Sequence, residues 1–203
     1  MVRRTDSKER MVAAARRLFR ERGYLGTALS DVVTESAAPR GSIYFHFPGG
    51  KEELAGEVVL LHAGDHIAHI NRAAAATTTA AQLIEAFIGR IRDELISSNY
   101  REGCAMAPLV IESMPDSGQL SDATRRGFQD IIATLAARLT EKNVPQSRAT
   151  QLATHACSSV EGALILSRVL RSPEPFDLAS AQLAAAADTE AAASIHNTRK
   201  DSI

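Results

Sequence analysis

Between residues 40 and 51 the chain gathers Arg40, Ser42, Tyr44, His46 and Lys51, with a position free of side chain at Gly41. Each type suits a nucleic-acid surface. An arginine fork can meet guanine or phosphate, Ser and Tyr hydroxyls can bond phosphate oxygens, and His can do either. Gly41 would let the backbone approach a groove, and Lys51 would add an ammonium at the start of the next helix. The stretch is also rich in a scarce resource. The chain has six Phe, three Tyr and no Trp, yet Tyr44, Phe45 and Phe47 fall within four positions. Ile43 and Phe47, four apart, share one helix face and are expected to pack inward on Val32 and Val33. Arg40, Ser42, Tyr44 and His46 are then left for the outer side.

Other constellations carry less. His62, His66 and His69 fall at i, i+4 and i+7 on one helix beside Asp65, a spacing that could ligate zinc, but no cysteine or carboxylate cluster completes a set, so no metal and no cofactor are expected. Gly49-Gly50-Lys51 lacks the full spacing of a phosphate loop. His155 and Cys157, two apart on a helix, face different ways. With no nucleophile, base or paired acids in register, the chain reads as no enzyme. Cys104 and Cys157 match no metal or CxxC spacing and are expected as buried free thiols. Glu161, inside the apolar run VEGALIL, needs a partner, whether a cationic ligand or an arginine on a neighbouring helix.

The elements that must hold these residues are helices. Ala, Leu, Ile, Arg and Glu are abundant and β-branched runs are scarce. Apolar positions Met11, Val12, Ala15, Leu18 and Phe19 trace a first helix, closed at Gly23. A short second helix carries Leu29, Val32 and Val33, with Thr27 or Ser30 able to cap it. Pro39 suits the first turn of a third, which Pro48-Gly49-Gly50 stops. Two short helices joined by so tight a connection form a helix-turn-helix layout. Further helices are expected over Lys51 to about Ile70, Ala81–Ser98, Cys104–Ser113, Ser121–Lys142, Pro145–Leu170 and Asp177–Ala187. The fold class is therefore all-α, about nine helices and no strand. Residues 1–50 would form the helix-turn-helix domain and 51–190 a larger helical domain, with 191–203 a polar, disordered tail.

Charge supports the division. Net charge is −1, but residues 1–51 hold ten Lys/Arg against five Asp/Glu, and the remainder is acidic. A basic head on an acidic body suits a nucleic-acid-binding domain joined to something with another task. The N-terminal residues lack an apolar core, so no secretory leader is expected, and no run is apolar enough to span a membrane. The expected location is cytoplasmic.

The pattern Thr27…Leu29-x-x-Val32-Val33…Ala37-Ala38-Pro39-Arg40-Gly41-Ser42-Ile43-Tyr44-Phe45-His46-Phe47…Lys51-Glu52-Glu53-Leu54 resembles the DNA-binding domain of TetR-family transcriptional repressors, strongly over about residues 7–60. The wording from Ala38 to Lys51 resembles the LmrA-like subgroup, whose members repress drug-efflux or oxygenase genes. Ala37 stands where that family commonly has Gly, and Pro39 where it has Ser. The turn must then form without glycine and without that hydroxyl contact.

The resemblance implies a set of DNA-binding residues: Thr27, Pro39, Arg40, Gly41, Ser42, Tyr44, His46 and Lys51. It implies a homodimer on a double-stranded, pseudo-palindromic operator, with the last two helices of each subunit paired in a four-helix bundle. The small residues Ala153, Ala156, Ser159, Gly162 and Ala163, and the run from Ala181 to Ala187, would allow close approach there. It also implies a small-molecule inducer, flat and largely apolar, bound among the middle helices. Leu61, Phe87, Ile91, Met106, Phe128, Ile132 and Glu161 are the candidates to line that site, and helix four is the natural lever to the DNA-reading head. Two rival readings remain: a DNA-binding dimer without an inducer, and a ligand-binding module that has lost DNA affinity.

Overall fold

The computed structural model describes residues 4–39, 41–113 and 118–200. Among these the chain is all-helical: α1 (Arg4–Arg22), α2 (Leu29–Glu35), α3 (Ile43–His46), α4 (Gly50–Ala76), α5 (Ala80–Ser97), α6 (Ala107–Ser113), α7 (Gly118–Thr140), α8 (Gln146–Leu170) and α9 (Glu174–Lys200). No helix is long and apolar enough to cross a membrane, among the described residues. The chain forms two compact units, one of residues 1–64 with 101–128, the other of 65–100 with 129–203. The boundary expected after residue 50 falls inside the first.

The first unit is built on α1. Met11, Ala15, Leu18 and Phe19 are fully or almost fully buried with Val32, Ile43, Phe47, Leu54, Ala55 and Val58. Gly23 closes α1 in the left-handed region, φ +82°, its N–H on the Phe19 carbonyl at 3.0 Å. α2 starts otherwise than expected. Its N-cap is Ala28, and Asp31, three residues on, reaches back to accept the Ala28 N–H at 3.2 Å. Thr27 and Ser30 do not cap it. The Thr27 hydroxyl donates to the Gly23 carbonyl at 2.8 Å instead. α7 comes close to α4 at Gly127, where a Cβ would stand 3.0 Å from Val59 Cγ1 and 3.1 Å from Met106 Sδ.

In the second unit α5, α8 and α9 pack on one another. α5 begins with the reciprocal cap its sequence TAAQ supports: Gln82 N–H donates to Thr79 Oγ1 at 3.2 Å, and Gln82 Oε1 accepts from Thr79 N at 3.3 Å. Its buried stripe is Leu83, Ile84, Phe87, Ile88, Ile91 and Leu95. α8 ends at Arg171 in the left-handed region, φ 51°, with its guanidinium on Asn99 Oδ1 at 2.6 Å and over the Tyr100 ring. α9 does not stop near Ala187. It starts earlier and runs to Lys200, so residues 191–200, expected as a disordered tail, continue the helix. Nothing between Asp188 and Lys200 breaks a helix, since the segment has neither Gly nor Pro.

Candidate nucleic-acid interface

The turn before α3 is the first departure from ordinary backbone. Ala37 sits at φ 50°, with its N–H on the Thr34 carbonyl and the Ala38 N–H on the Val33 carbonyl, both at 3.2 Å. An L-residue pays for this region through crowding of Cβ, about 1–2 kcal/mol. The glycine-free turn therefore forms at the expense of strain.

From there Pro39 leads into a second turn, not into α3 itself. The Pro39 carbonyl accepts the Ser42 N–H at 3.0 Å and the Ser42 hydroxyl at 2.7 Å. α3 is thus a single turn beginning at Ile43. Ile43 and Phe47 are buried against the head as the four-residue spacing predicts, while Tyr44 is 65% and Phe45 61% exposed. Pro39 and Gly41 are exposed, and a Cβ on Gly41 would meet no atom within 4 Å. His46 and Ser42 are half-buried. Arg40 lies outside the described residues. Thr27 is 1% exposed, and with its hydroxyl given to the Gly23 carbonyl it fastens the turn after α1.

Lys51 stands in the first turn of α4. The N-terminus of α4 is held by Glu53, whose carboxylate accepts the Gly49 N–H at 2.7 Å. The Lys51 ammonium lies 4.3 Å from the centroid of the Tyr24 ring. Burial pushes the Lys51 pKa down from the ordinary lysine value, and the Glu112 carboxylate opposes that. Burial, with Glu52 adding, raises the Tyr24 phenol. Glu112, on α6, also accepts the Leu25 N–H at 2.5 Å. Tyr24 and Glu112 thus join the site although the sequence reading missed both. Each is far from Lys51 along the chain and has no local pattern to mark it.

Much of the head's positive charge is already spent. Lys8 pairs with Glu57 at 2.6 Å, Arg17 with Glu35, Arg20 with Glu102 at 2.8 Å, and Arg22 approaches Asp31 at 3.9 Å. Glu57 and Glu102 lie beyond residue 51, so the basic balance of residues 1–51 overstates the field that the folded head presents.

The other candidate residues divide between the units. Leu61, Met106 and Phe128 belong to the first; Phe87, Ile91, Ile132 and Glu161 belong to the second. Phe87, Ile91 and Met106 are core side chains, and Leu61, Phe128, Ile132 and Glu161 are half-buried. Leu61 lines a cleft of about 620 Å³ with Val12, Phe45, His46 and Leu60. A larger open cleft in the second unit, about 920 Å³, is lined by His69, Glu85, Ala86, Arg90, Asp93 and Glu94 among others, and by none of the seven. The three histidines do not converge. His62 Nε2 faces Cys104 Sγ, His66 packs edge-on against Phe87, and His69 Nε2 meets the Ala86 carbonyl at 3.0 Å. No group of three or more metal-binding side chains forms among the described residues.

The small residues picked out on α8 mostly face inward. Ala153, Ala156 and Ala163 are buried with Val160. What α8 and α9 expose instead is large and apolar: Ile165, Leu166, Val169, Leu170 and Leu178, each more than half exposed.

A helix-turn-helix with one outward aromatic turn, on an all-helical chain of this layout, defines a DNA-binding regulator. Residues 11–58 match the tetR family of bacterial regulatory proteins, and residues 80–182 match the LmrA/YxaF-like C-terminal domain of transcriptional regulators. The chain belongs to the TetR family of transcriptional regulators. It is 39% identical over 188 residues to an uncharacterised HTH-type transcriptional regulator of Mycobacterium tuberculosis, covering 87% of this chain and 91% of that protein. It is 32% identical over 175 residues to the HTH-type transcriptional regulator LmrA of Bacillus subtilis, covering 84% and 91%. Among solved structures, a TetR transcriptional regulator from Legionella pneumophila shares the fold, with a TM-score of 0.78 over 87% of this chain and 94% of that one at 23% identity.

Proposed function

We propose that the protein is a repressor that binds a pseudo-palindromic operator as a homodimer and leaves it when a small, largely apolar inducer binds. The observation that carries the DNA half is the division of α3: Ile43 and Phe47 buried, Tyr44 exposed, with Gly41 open beside it and Lys51 in the next helix. One short helix offers few base contacts. Two copies related by a two-fold axis would double them, on half-sites spaced by a helical turn or its multiple.

The exposed Ile165, Leu166 and Val169 on α8, with Leu178 on α9, support pairing through these helices, because exposed large apolar side chains are costly in water. The inducer reading rests on the family. α4, which contributes residues to both units, would be the lever. Such coupling typically changes operator affinity about 5–150-fold. The test is to select a duplex from a random library on the purified chain and to titrate flat apolar compounds against the complex. Selection of a palindromic duplex, with at least one bound compound releasing it, is the expected result. Tight-binding compounds that never weaken the complex would leave a DNA-binding dimer without an inducer. A chain that selects no duplex would remove the repressor reading.

A further inference from the structure

One cysteine–histidine pair lies outside this reading. Cys104, just ahead of α6, and His62, on α4, are both buried, and Cys104 Sγ stands 3.8 Å from His62 Nε2. The same sulfur accepts two backbone N–H groups, from Met106 at 3.3 Å and Ala107 at 3.4 Å. Backbone donors converging on sulfur suit a thiolate, and an imidazole whose Nε2 is unprotonated can take the thiol proton at this range and, once protonated, return it. Cys157, on α8, is the internal contrast. By surface it is the more exposed thiol, half-buried where Cys104 is buried, but desolvation and the Glu161 carboxylate push it up to about 12, which keeps it protonated.

We propose that Cys104 is an oxidation site with His62 as its proton partner, and that a hydroperoxide converts the thiol to a sulfenic acid and so loosens the DNA-reading head. The thiol proton passes to His62, and the sulfur attacks the terminal peroxide oxygen. The S–O bond forms as the O–O bond breaks. Sulfur loses two electrons to the peroxide, and the departing oxide takes the proton from His62 to leave as water or an alcohol. Burial favours small oxidants.

The consequence for the head follows from what flanks the sulfur. Gly103 is strapped to the end of α1 twice: its N–H donates to the Arg20 carbonyl at 2.9 Å, and its carbonyl accepts Arg20 Nε at 2.8 Å. Downstream, α6 carries Glu112, which holds the Leu25 N–H in the same turn. Ala105, Met106 and Leu109 around the thiol have at most 1% of their surface exposed. An added oxygen must therefore displace either His62 or the chain from 103 to 107. The second route pulls on the turn that carries Tyr24, and Tyr24 seats Lys51.

The experiment treats the full reduced chain with hydrogen peroxide, traps sulfenic acid with dimedone and reads each cysteine by peptide mass spectrometry. Label on Cys104 and none on Cys157 is expected, and H62Q should slow labelling about 100-fold. Label on Cys157 first, or on Cys104 only after denaturation, overturns the site. If H62Q does not fold, as judged by circular dichroism, the contrast between the two cysteines alone decides. The DNA half rests on the repressor reading. Peroxide should weaken the selected duplex about 5-fold or more in the wild type and leave C104S unchanged. A reduced chain that selects no duplex fails the repressor reading and the DNA half with it, while the labelling result stands by itself. A reduced and an oxidised chain that bind the duplex equally overturn the switch.

Discussion

The ammonium of Lys51 rests over the ring of Tyr24, 4.3 Å from its centroid, so the first turn of the head's outgoing helix is seated on the turn that ends α1. A cation held by a ring is pre-aimed, and less side-chain entropy is lost when it meets a phosphate. Lys51→Ala should weaken binding to the selected duplex and lower the salt slope by about one, as for one lost phosphate contact. Tyr44→Ala, at an exposed position, should weaken binding with the melting temperature unchanged. Salt titrations of both variants check this, and unchanged affinity in both would remove the assignment of this face.

Replacing Ala37 by Gly should stabilise the protein. The left-handed conformation at φ 50° costs an alanine about 1–2 kcal/mol, whereas the extra freedom of an unfolded glycine costs about 0.4–1 kcal/mol. A net gain of about 0.5–1 kcal/mol is expected in chemical denaturation, and a loss would contradict the strain.

Acidic substitutions on α8 should separate assembly from folding. Val169→Asp and Leu166→Asp alter exposed positions and should yield folded monomers by sedimentation, with DNA binding lost. Ala163→Asp buries a carboxylate and should instead lower stability by several kcal/mol, about 3 or more. A dimer that survives both exposed substitutions would place the interface elsewhere.

His69 gives the stability curve a slope. Burial lowers its pKa first, Arg90 and Arg72 add to that, and the hydrogen bond to the Ala86 carbonyl and the Glu94 carboxylate oppose it. Its folded pKa thus lies below the ordinary 6.5, and the unfolded chain binds the proton more readily. The contribution is fully present above about pH 6.5 and is lost as pH falls through the folded value. Denaturation between pH 7.5 and 5 should show a shallower fall for His69→Gln than for the wild type. Parallel curves would exclude His69 as the source.

The period of the sequence revealed what depends on neighbours in the chain. Ile43 and Phe47 point inward because four residues is one turn, and the stripe of α5 follows from the same count. Contacts across the fold left no such mark. Tyr24 and Glu112 meet Lys51 from 27 and 61 positions away, and the pairing of Lys8 and Arg20 with later acids hid behind a favourable local charge balance. On α8, the small residues suggest close approach to a partner, yet Ala153, Ala156 and Ala163 are buried within the chain. Alanine permits close approach equally to a partner and to α9, so size alone could not decide. The stretch after Ala187 looked unstructured because it is polar, yet polarity without Gly or Pro does not stop a helix.

The packing of α9 on α5 and α8 also sets a clock on synthesis. Phe87 on α5 and Leu183 on α9 belong to one core but lie 96 positions apart. At about 5–20 residues per second, the apolar stripe of α5 waits on the order of 5–20 s for its cover to leave the ribosome. A nascent chain halted after Leu170 would carry that stripe unsheathed, so chaperone supply and growth temperature should govern the yield of this protein more strongly than the stability of its finished fold.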